Sequence, residues 1–178
     1  MSDTLTLPDG ATVTIRPIRP TDAGIEQEFV ARLSDRARRY RFLSGLKELT
    51  PAMLRRFIDV DFPQELALIA TVPVEGRECE VAVARYAGGS APGRVEFAVV
   101  VADDWQRKGI GRALLERLFA VAREQGFAMI EGLVLRENLG MLKLMDRMGF
   151  QRAARSGDPG VVYVSKALSP GETPTGAR

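Results

Sequence analysis

Between residues 103 and 113 the chain reads Asp103-Asp104-Trp105-Gln106-Arg107-Lys108-Gly109-Ile110-Gly111-Arg112-Ala113. The chemistry these residue types can perform is anion binding. An α-helix leaves its first four N–H groups without internal partners, and the helix dipole adds positive potential there. Gly109 and Gly111 keep side chains away from such amides, and Arg107, Lys108 and Arg112 surround the opening with positive charge. A Gly-x-Gly is equally the mark of a plain tight turn, and spacing alone leaves the two readings even. The dinucleotide fingerprint fails because Ala113-Leu114 follows where a third glycine is needed. The P-loop fails because Arg112-Ala113 stands in place of Lys-Ser/Thr. Neither nicotinamide nor ATP chemistry is supported.

The second candidate is a carboxylate. Strand alternation over residues 94–101 puts Arg94, Glu96, Ala98 and Val100 on one face and Val95, Phe97, Val99 and Val101 on the other. Glu96 is then a lone acid in an otherwise apolar strand just upstream of the glycine pair. It can act as a general base, or it can simply pair with Arg94 or a cation on another strand; the residues alone leave these equal. Glu65 is a second candidate acid, better suited to orienting a substrate or to structure.

The whole chain narrows the chemistry further. With no histidine and one cysteine, Cys79, it lacks the usual zinc ligand sets, a disulfide framework, and serine-histidine or cysteine-histidine catalysis. No metal is expected. A net charge of +2 gives no global attraction to nucleic acid or membrane. The N-terminus lacks the pattern of a secretory signal and no apolar run approaches a membrane span, so a cytoplasmic protein is expected. At 178 residues, 46% of them hydrophobic, the chain suits one domain over 1–168, with a disordered tail from Ser169 to Arg178.

The elements that position these residues can be read in order. Leu5–Leu7 and Thr12–Ile18 flank Pro8-Asp9-Gly10 as a hairpin. Thr21-Asp22 caps a helix with Ile25, Phe29, Val30 and Leu33 on one face, and Ser34 opens a second helix rich in Arg36, Arg38, Arg39 and Arg41. That basic run reads as a solvated face in preference to a binding surface. Thr50-Pro51 opens a third helix, and Glu65–Val72, Glu78–Tyr86 and Arg94–Val101 are strands. After the central helix, which Gly126 caps, Ala128–Leu135 is a buried strand. Asn138 opens a short helix ended by Gly149, and Phe150–Ala153 and Val161–Ala167 are the last strands.

The order strand, Gln106-x-x-Gly109-x-Gly111, helix, strand, Asn138, helix, Gly149-Phe150 resembles the GNAT (Gcn5-related) N-acetyltransferases over roughly Val13 to Leu168. The resemblance implies an α/β (α+β) GNAT fold: a mixed, mostly antiparallel sheet of six to seven strands with a splayed strand pair, flanked by helices. It implies acetyl-CoA as co-substrate. Its pyrophosphate would sit on amides around Gln106, Arg107, Lys108, Gly109, Ile110, Gly111 and Arg112, and its pantetheine arm and thioester along Val99, Val100 and Val101. Asn138, Met141 and Leu144 would lie beside the pantetheine, and Glu96 would be the general base.

A narrower likeness lies in Ile15-Arg16-Pro17-Ile18-Arg19-Pro20, Leu33-Ser34, Arg39-Tyr40-Arg41-Phe42, Leu46–Thr50, Glu65-Leu66-Ala67-Leu68 and Glu96-Phe97-Ala98-Val99-Val100. These resemble the acetyltransferase domain of bacterial protein lysine acetyltransferases that modify acyl-CoA synthetases, which implies a protein lysine as acceptor. One departure stands out. Many members of the wider family carry a tyrosine four residues before the Gly-Phe pair to protonate the CoA thiolate, and here that residue is Met145, which cannot donate a proton. Two further readings remain: acetyl transfer to a small amine or amino acid, and a non-catalytic acyl-CoA sensor that needs Gly109 and Gly111 but not Glu96.

Overall fold

The computed structural model describes residues 2–43, 48–154 and 157–168. The expected tail from Ser169, Leu46 of the narrower likeness and Ser156 of the last turn lie outside the described residues. The N-terminal hairpin forms because Gly10, at φ 84, closes the turn and Leu7 N–H reaches Ala11 O at 2.7 Å. Its strands β1 (Asp3–Thr6) and β2 (Thr12–Pro17) pair antiparallel. Three helices follow: α1 (Ala23–Arg32), α2 (Asp35–Phe42) and α3 (Pro51–Ile58). Thr50 Oγ1 accepts from Met53 N–H at 3.2 Å, the cap expected of it, and Ser34 Oγ caps α2 in the same way, accepting from Ala37 N–H at 3.1 Å.

The cap expected of Asp22 does not. Asp22 stands at the start of α1, but its carboxylate is taken by the guanidinium of Arg16, which donates to Asp22 Oδ2 at 2.7 Å and Oδ1 at 3.0 Å and to Glu78 Oε2 at 2.7 Å. Arg16 is buried, and a buried guanidinium needs carboxylates more than the helix needs one cap.

The remaining elements are β3 (Leu66–Val74), β4 (Arg77–Gly88), β5 (Arg94–Val101), α4 (Ile110–Glu124), β6 (Met129–Leu135), α5 (Leu139–Arg147), β7 (Gln151–Ala154) and β8 (Val161–Ala167). They make two compact units, Met1–Ala87 with Phe97–Leu118, and Gly88–Glu96 with Phe119–Arg178. Strands run β1-β2-β3-β4-β5 in the first and β5-β6-β8-β7 in the second; β5 and α4 each pass from one unit into the other. Pairing of β5 with β6 is parallel, while β1–β2, β2–β3, β3–β4, β6–β8 and β7–β8 are antiparallel. The eight strands exceed the six to seven that the resemblance implies. The tight hairpin adds β1 as an edge, and the reversal after Gly149 lays the short β7 against β8.

In the first unit α1 packs Phe29, Val30 and Leu33 against Ala67, Ile69, Val83 and Val100 of the strands, with α2 and α3 contributing Ala37, Met53, Leu54 and Phe57. Burying side chains of this kind contributes about 1.5–3 kcal/mol each. Glu26 shares the apolar face of α1, and it meets Glu80 of β4; both are about 1% exposed. Unless a proton is shared, Glu26 Oε2 and both Glu80 oxygens have no hydrogen-bond partner. Burial pushes the Glu80 carboxyl well above the usual carboxylate range, and the neighbouring Glu26 pushes the same way.

That arrangement has a sign. The native state keeps a proton on Glu80 that the unfolded chain has already released, so the stability it confers is complete below the ordinary carboxylate range. It drains away as pH climbs through the raised value. Glu80→Gln cannot ionise, and a plot of Tm against pH for it is expected to be flatter on the alkaline side than that of the wild type. An equally steep alkaline decline in the variant contradicts this role.

Candidate functional site

The junction between β5 and α4 lies entirely in the first unit. After β5 the chain makes a short 3-10 turn over Asp103–Trp105, and Gln106 folds back so that its Nε2 donates to Val101 O at 3.0 Å. This side-chain bridge sets how far the loop departs from the strand end. Arg107 and Gly109 then both take positive φ, 62 and 91. Glycine adopts that region freely, whereas at Arg107 it stores strain of the kind kept where geometry serves function.

The helical ladder of α4 opens with Ala113 N–H donating to Gly109 O at 3.0 Å. The amides of Ile110, Gly111 and Arg112 therefore precede the first helical bond. A side chain at Gly109 would meet nothing within 4 Å, so space is open above these amides. Gly111 is required for the opposite reason: a Cβ there would sit 3.3 Å from Val101 Cγ2. One glycine clears the approach to the amides, and the other lets the helix start close against the end of β5. A diphosphate fits this cradle, because the donors are main-chain N–H groups with no side chain covering them.

The three cations are not equivalent. Lys108 Nζ lies 2.8 Å from Asp9 Oδ2 and 5.0 Å from the centre of the Trp105 ring, which ties the loop to the N-terminal hairpin. Arg112 Nε lies 2.7 Å from Glu116 one helical turn on. Arg107 is exposed and has no ion-pair partner among the described residues. Of the two acids in the loop, Asp103 is engaged elsewhere: it accepts from Ser34 N–H at 3.2 Å and Ser34 Oγ at 2.9 Å, and lies 3.7 Å from Arg36.

Along β5, Val95 and Phe97 are buried and Glu96 is exposed, as alternation requires. Beyond Phe97 the strict pattern ends: Val100 is buried while Ala98, Val99 and Val101 are partly exposed. The parallel register with β6 covers Arg94↔Met129, Val95↔Ile130 and Glu96↔Glu131, although β6 itself continues to Leu135. Val99, Val100, Val101 and Gln106–Arg112 thus lie together in the first unit, whereas Glu96, Asn138, Met141 and Leu144 belong to the second.

In that second unit Asn138 caps α5, its Oδ1 accepting from Met141 N–H at 3.1 Å, which leaves its Nδ2 as a donor. Met141 and Leu144 are partly exposed on α5. Met145 is fully buried, so it contributes packing, not protons. Its carbonyl accepts Phe150 N–H at 3.0 Å across the positive φ of Gly149, which is why the helix stops where it does.

A residue the sequence reading passed over is Glu131. It is buried in β6, and it accepts from Ser90 N–H at 2.5 Å, Tyr163 OH at 2.6 Å and Arg94 Nη1 at 3.3 Å. Burial alone would raise its pKa, but hydrogen bonds from Ser90, Tyr163 and Arg94 outweigh it and pull the carboxyl down to about 2. Burial and the Glu131 carboxylate push the Tyr163 hydroxyl up. The available signal was a single acid inside the apolar run Met129–Leu135, the same feature that marks Glu96.

The acetyltransferase (GNAT) family profile matches residues 32–150. An acetyltransferase of Pseudomonas aeruginosa is 39% identical over 144 residues, spanning 81% of this chain and 77% of that one. Acetyltransferase Pat of Mycolicibacterium smegmatis is 30% identical over 135 residues, 75% of this chain and 39% of that longer protein. Among solved structures, the GNAT domain of S. lividans PAT superposes with a TM-score of 0.83 at 32% identity, covering 93% of this chain and 96% of that one.

The cradle predicts a separable defect. Gly109→Val costs about 1–2 kcal/mol for a side chain at positive φ, a fall in Tm of roughly 2–4 °C per kcal/mol. Its affinity for acetyl-CoA, read by calorimetry on the folded variant, is expected to drop at least about tenfold, corresponding to roughly 1.4 kcal/mol. Undiminished affinity would place the diphosphate elsewhere.

Proposed function

The chain belongs to the GNAT family of acetyltransferases, and from that premise we propose that it moves the acetyl group of acetyl-CoA to the ε-amine of a lysine on a protein, with Glu96 as general base. The observation that carries this reading is the placement of an exposed carboxylate on β5, the strand that leads through a short loop into the glycine-flanked amides at the start of α4. The GNAT domain of S. lividans PAT shares the fold at 32% identity over 93% of the chain, and the narrower sequence likeness supports a protein acceptor. So does the exposure of Glu96, since a side chain reached from solvent suits a lysine presented on a large partner.

The chemical obstacle is protonation. At pH 7 a lysine amine with a pKa of about 10.4 is neutral only roughly once in 2,500, equivalent to about 4.6 kcal/mol. Acetyl-CoA supplies an acetyl thioester, whose C–S bond breaks as the amine nitrogen bonds the carbonyl carbon. Glu96 takes the proton the amine must lose, directly or through one water. The amides of Ile110, Gly111 and Arg112, with Arg107 at the rim, hold the diphosphate. Val99, Val100 and Val101 line the arm with apolar surface, and main-chain N–H groups there polarise the carbonyl. β5 advances about 3.3 Å per residue, so Glu96 and Val99 are roughly 10 Å apart along the strand.

Met145 alters the last step. With no tyrosine at that position, the thiolate leaves as the anion or takes a proton from water; a thiol pKa of about 8.5 makes this a mild demand.

Incubating the protein with labelled acetyl-CoA and a cell extract is expected to place label on protein lysines. Glu96→Gln should lower that rate by about a hundred- to ten-thousand-fold while acetyl-CoA affinity stays within twofold. Label confined to small amines would assign the chain to metabolite acetylation. Binding of acetyl-CoA with no transfer by wild type would make it a sensor, and an unimpaired Glu96→Gln would remove Glu96 as the base.

A further inference from the structure

The buried carboxylate of Glu131 joins three stretches of the second unit that are far apart in sequence. It lies on β6, takes Ser90 N–H from the loop before β5, takes Arg94 Nη1 from the first residue of β5, and takes Tyr163 OH from β8. Its Cα partner in the parallel register is Glu96, and that is the last pair of the β5–β6 ladder. Upstream of Glu96 the loop is folded hard onto the strand. Gly89 N–H donates to Arg94 O at 3.1 Å, Arg94 N–H to Ala91 O at 3.1 Å, and a Cβ on Gly89 would lie 2.8 Å from the Arg94 carbonyl.

Ladders hold most strands over many residues. β5 neighbours β4 on one side, with Gly89 N–H bonded to Arg94 O, and β6 on the other. Here the parallel ladder supplies three Cα pairs, and the Glu131 carboxylate binds both the loop and the first residue of the strand at the same edge. Burying a carboxylate is costly, and three donors from two separate stretches of the chain are a specific way to offset that cost. An apolar residue at the site would pack, but it could not tie Ser90, Arg94 and Tyr163 to one point.

We infer that Glu131 is a positioning residue: through Ser90, Arg94 and Tyr163 it fixes the opening residues of β5, and thereby the direction of the Glu96 side chain. This rests on Glu96 being the base. General-base catalysis depends on placement within a fraction of an ångström, so a loosened strand start costs turnover before it costs cofactor binding, whose main-chain donors lie in the other unit.

The test is a double-mutant cycle on the full chain, using labelled acetyl-CoA at saturation and extract protein as acceptor. It is run at pH 9, where more of the amine is free and residual turnover is measurable. Glu131→Gln is expected to lower the transfer rate at least tenfold, with the KM for acetyl-CoA within twofold of wild type. In a Glu96→Gln background it should lower the rate by less than twofold, because there is no base left to aim. Tyr163→Phe removes one donor and keeps the carboxylate, so it should give a smaller loss with the same dependence on Glu96, and it serves if Glu131→Gln does not fold. A loss that multiplies undiminished in the Glu96→Gln background, or a rise in KM in place of a fall in rate, makes Glu131 merely structural and overturns the inference. Wild-type transfer by Glu96→Gln alone overturns the base assignment and this inference with it, a result distinguishable from the first because it appears before Glu131 is touched.

Discussion

The constraint on which the rest depends is that α4 cannot satisfy its own first amides. Every helix has this problem, and most solve it with a capping side chain, as α2, α3 and α5 do with Ser34, Thr50 and Asn138. At the start of α4 the residues are Gly109, Ile110 and Gly111, and the ladder begins only with Ala113 bonded to Gly109. The chain accepts a poorly capped helix in its first unit and tethers the loop instead, through Gln106 to Val101 and Lys108 to Asp9. A structure built for stability alone would put serine or aspartate there. Leaving the amides uncovered makes sense when a ligand carrying negative charge completes them.

Three buried acids show how surroundings decide what a carboxyl does. Glu80 faces Glu26 with little to donate to it, and burial drives its proton on. Glu131 is buried as deeply, but Ser90, Tyr163 and Arg94 keep it ionised. Asp22 likewise feels burial as the largest influence, yet Arg16 and the amide of Arg19 hold it below the usual carboxylate range. Burial pushes all three the same way, and the donors within reach of Glu131 and Asp22 are what reverse it. Glu96 differs from all three in being open to solvent, which suits a group that must exchange a proton with a visiting amine.

Much of the fold was legible in the residues because local rules and tertiary packing agree. Ser34, Thr50, Asn138, Gly126 and Gly149 end or begin helices where capping chemistry says they should, and the strand boundaries follow the apolar runs. The glycine pair was visible too, although its two members turn out to do different work, one by conformation and one by clearance from Val101. What could not be read was which polar partners meet across long sequence distances. Asp22 looked like a cap because Asp before a helix usually is one; nothing local says that Arg16 will be buried beside it. Glu131 stood in plain view within an apolar strand, but its importance lies in Ser90 and Tyr163, forty-one positions before it and thirty-two after it. Period and propensity report the face a residue occupies, and they are silent about the donors waiting there.

Backbone amide NMR during an acetyl-CoA titration watches the donors themselves. The largest shifts are expected at Gly109, Ile110, Gly111 and Arg112, saturating with the binding isotherm. If acetyl-CoA saturates the protein while those four amides stay still and others move, the diphosphate is held elsewhere and the chemistry assigned to β5 and α4 is wrong.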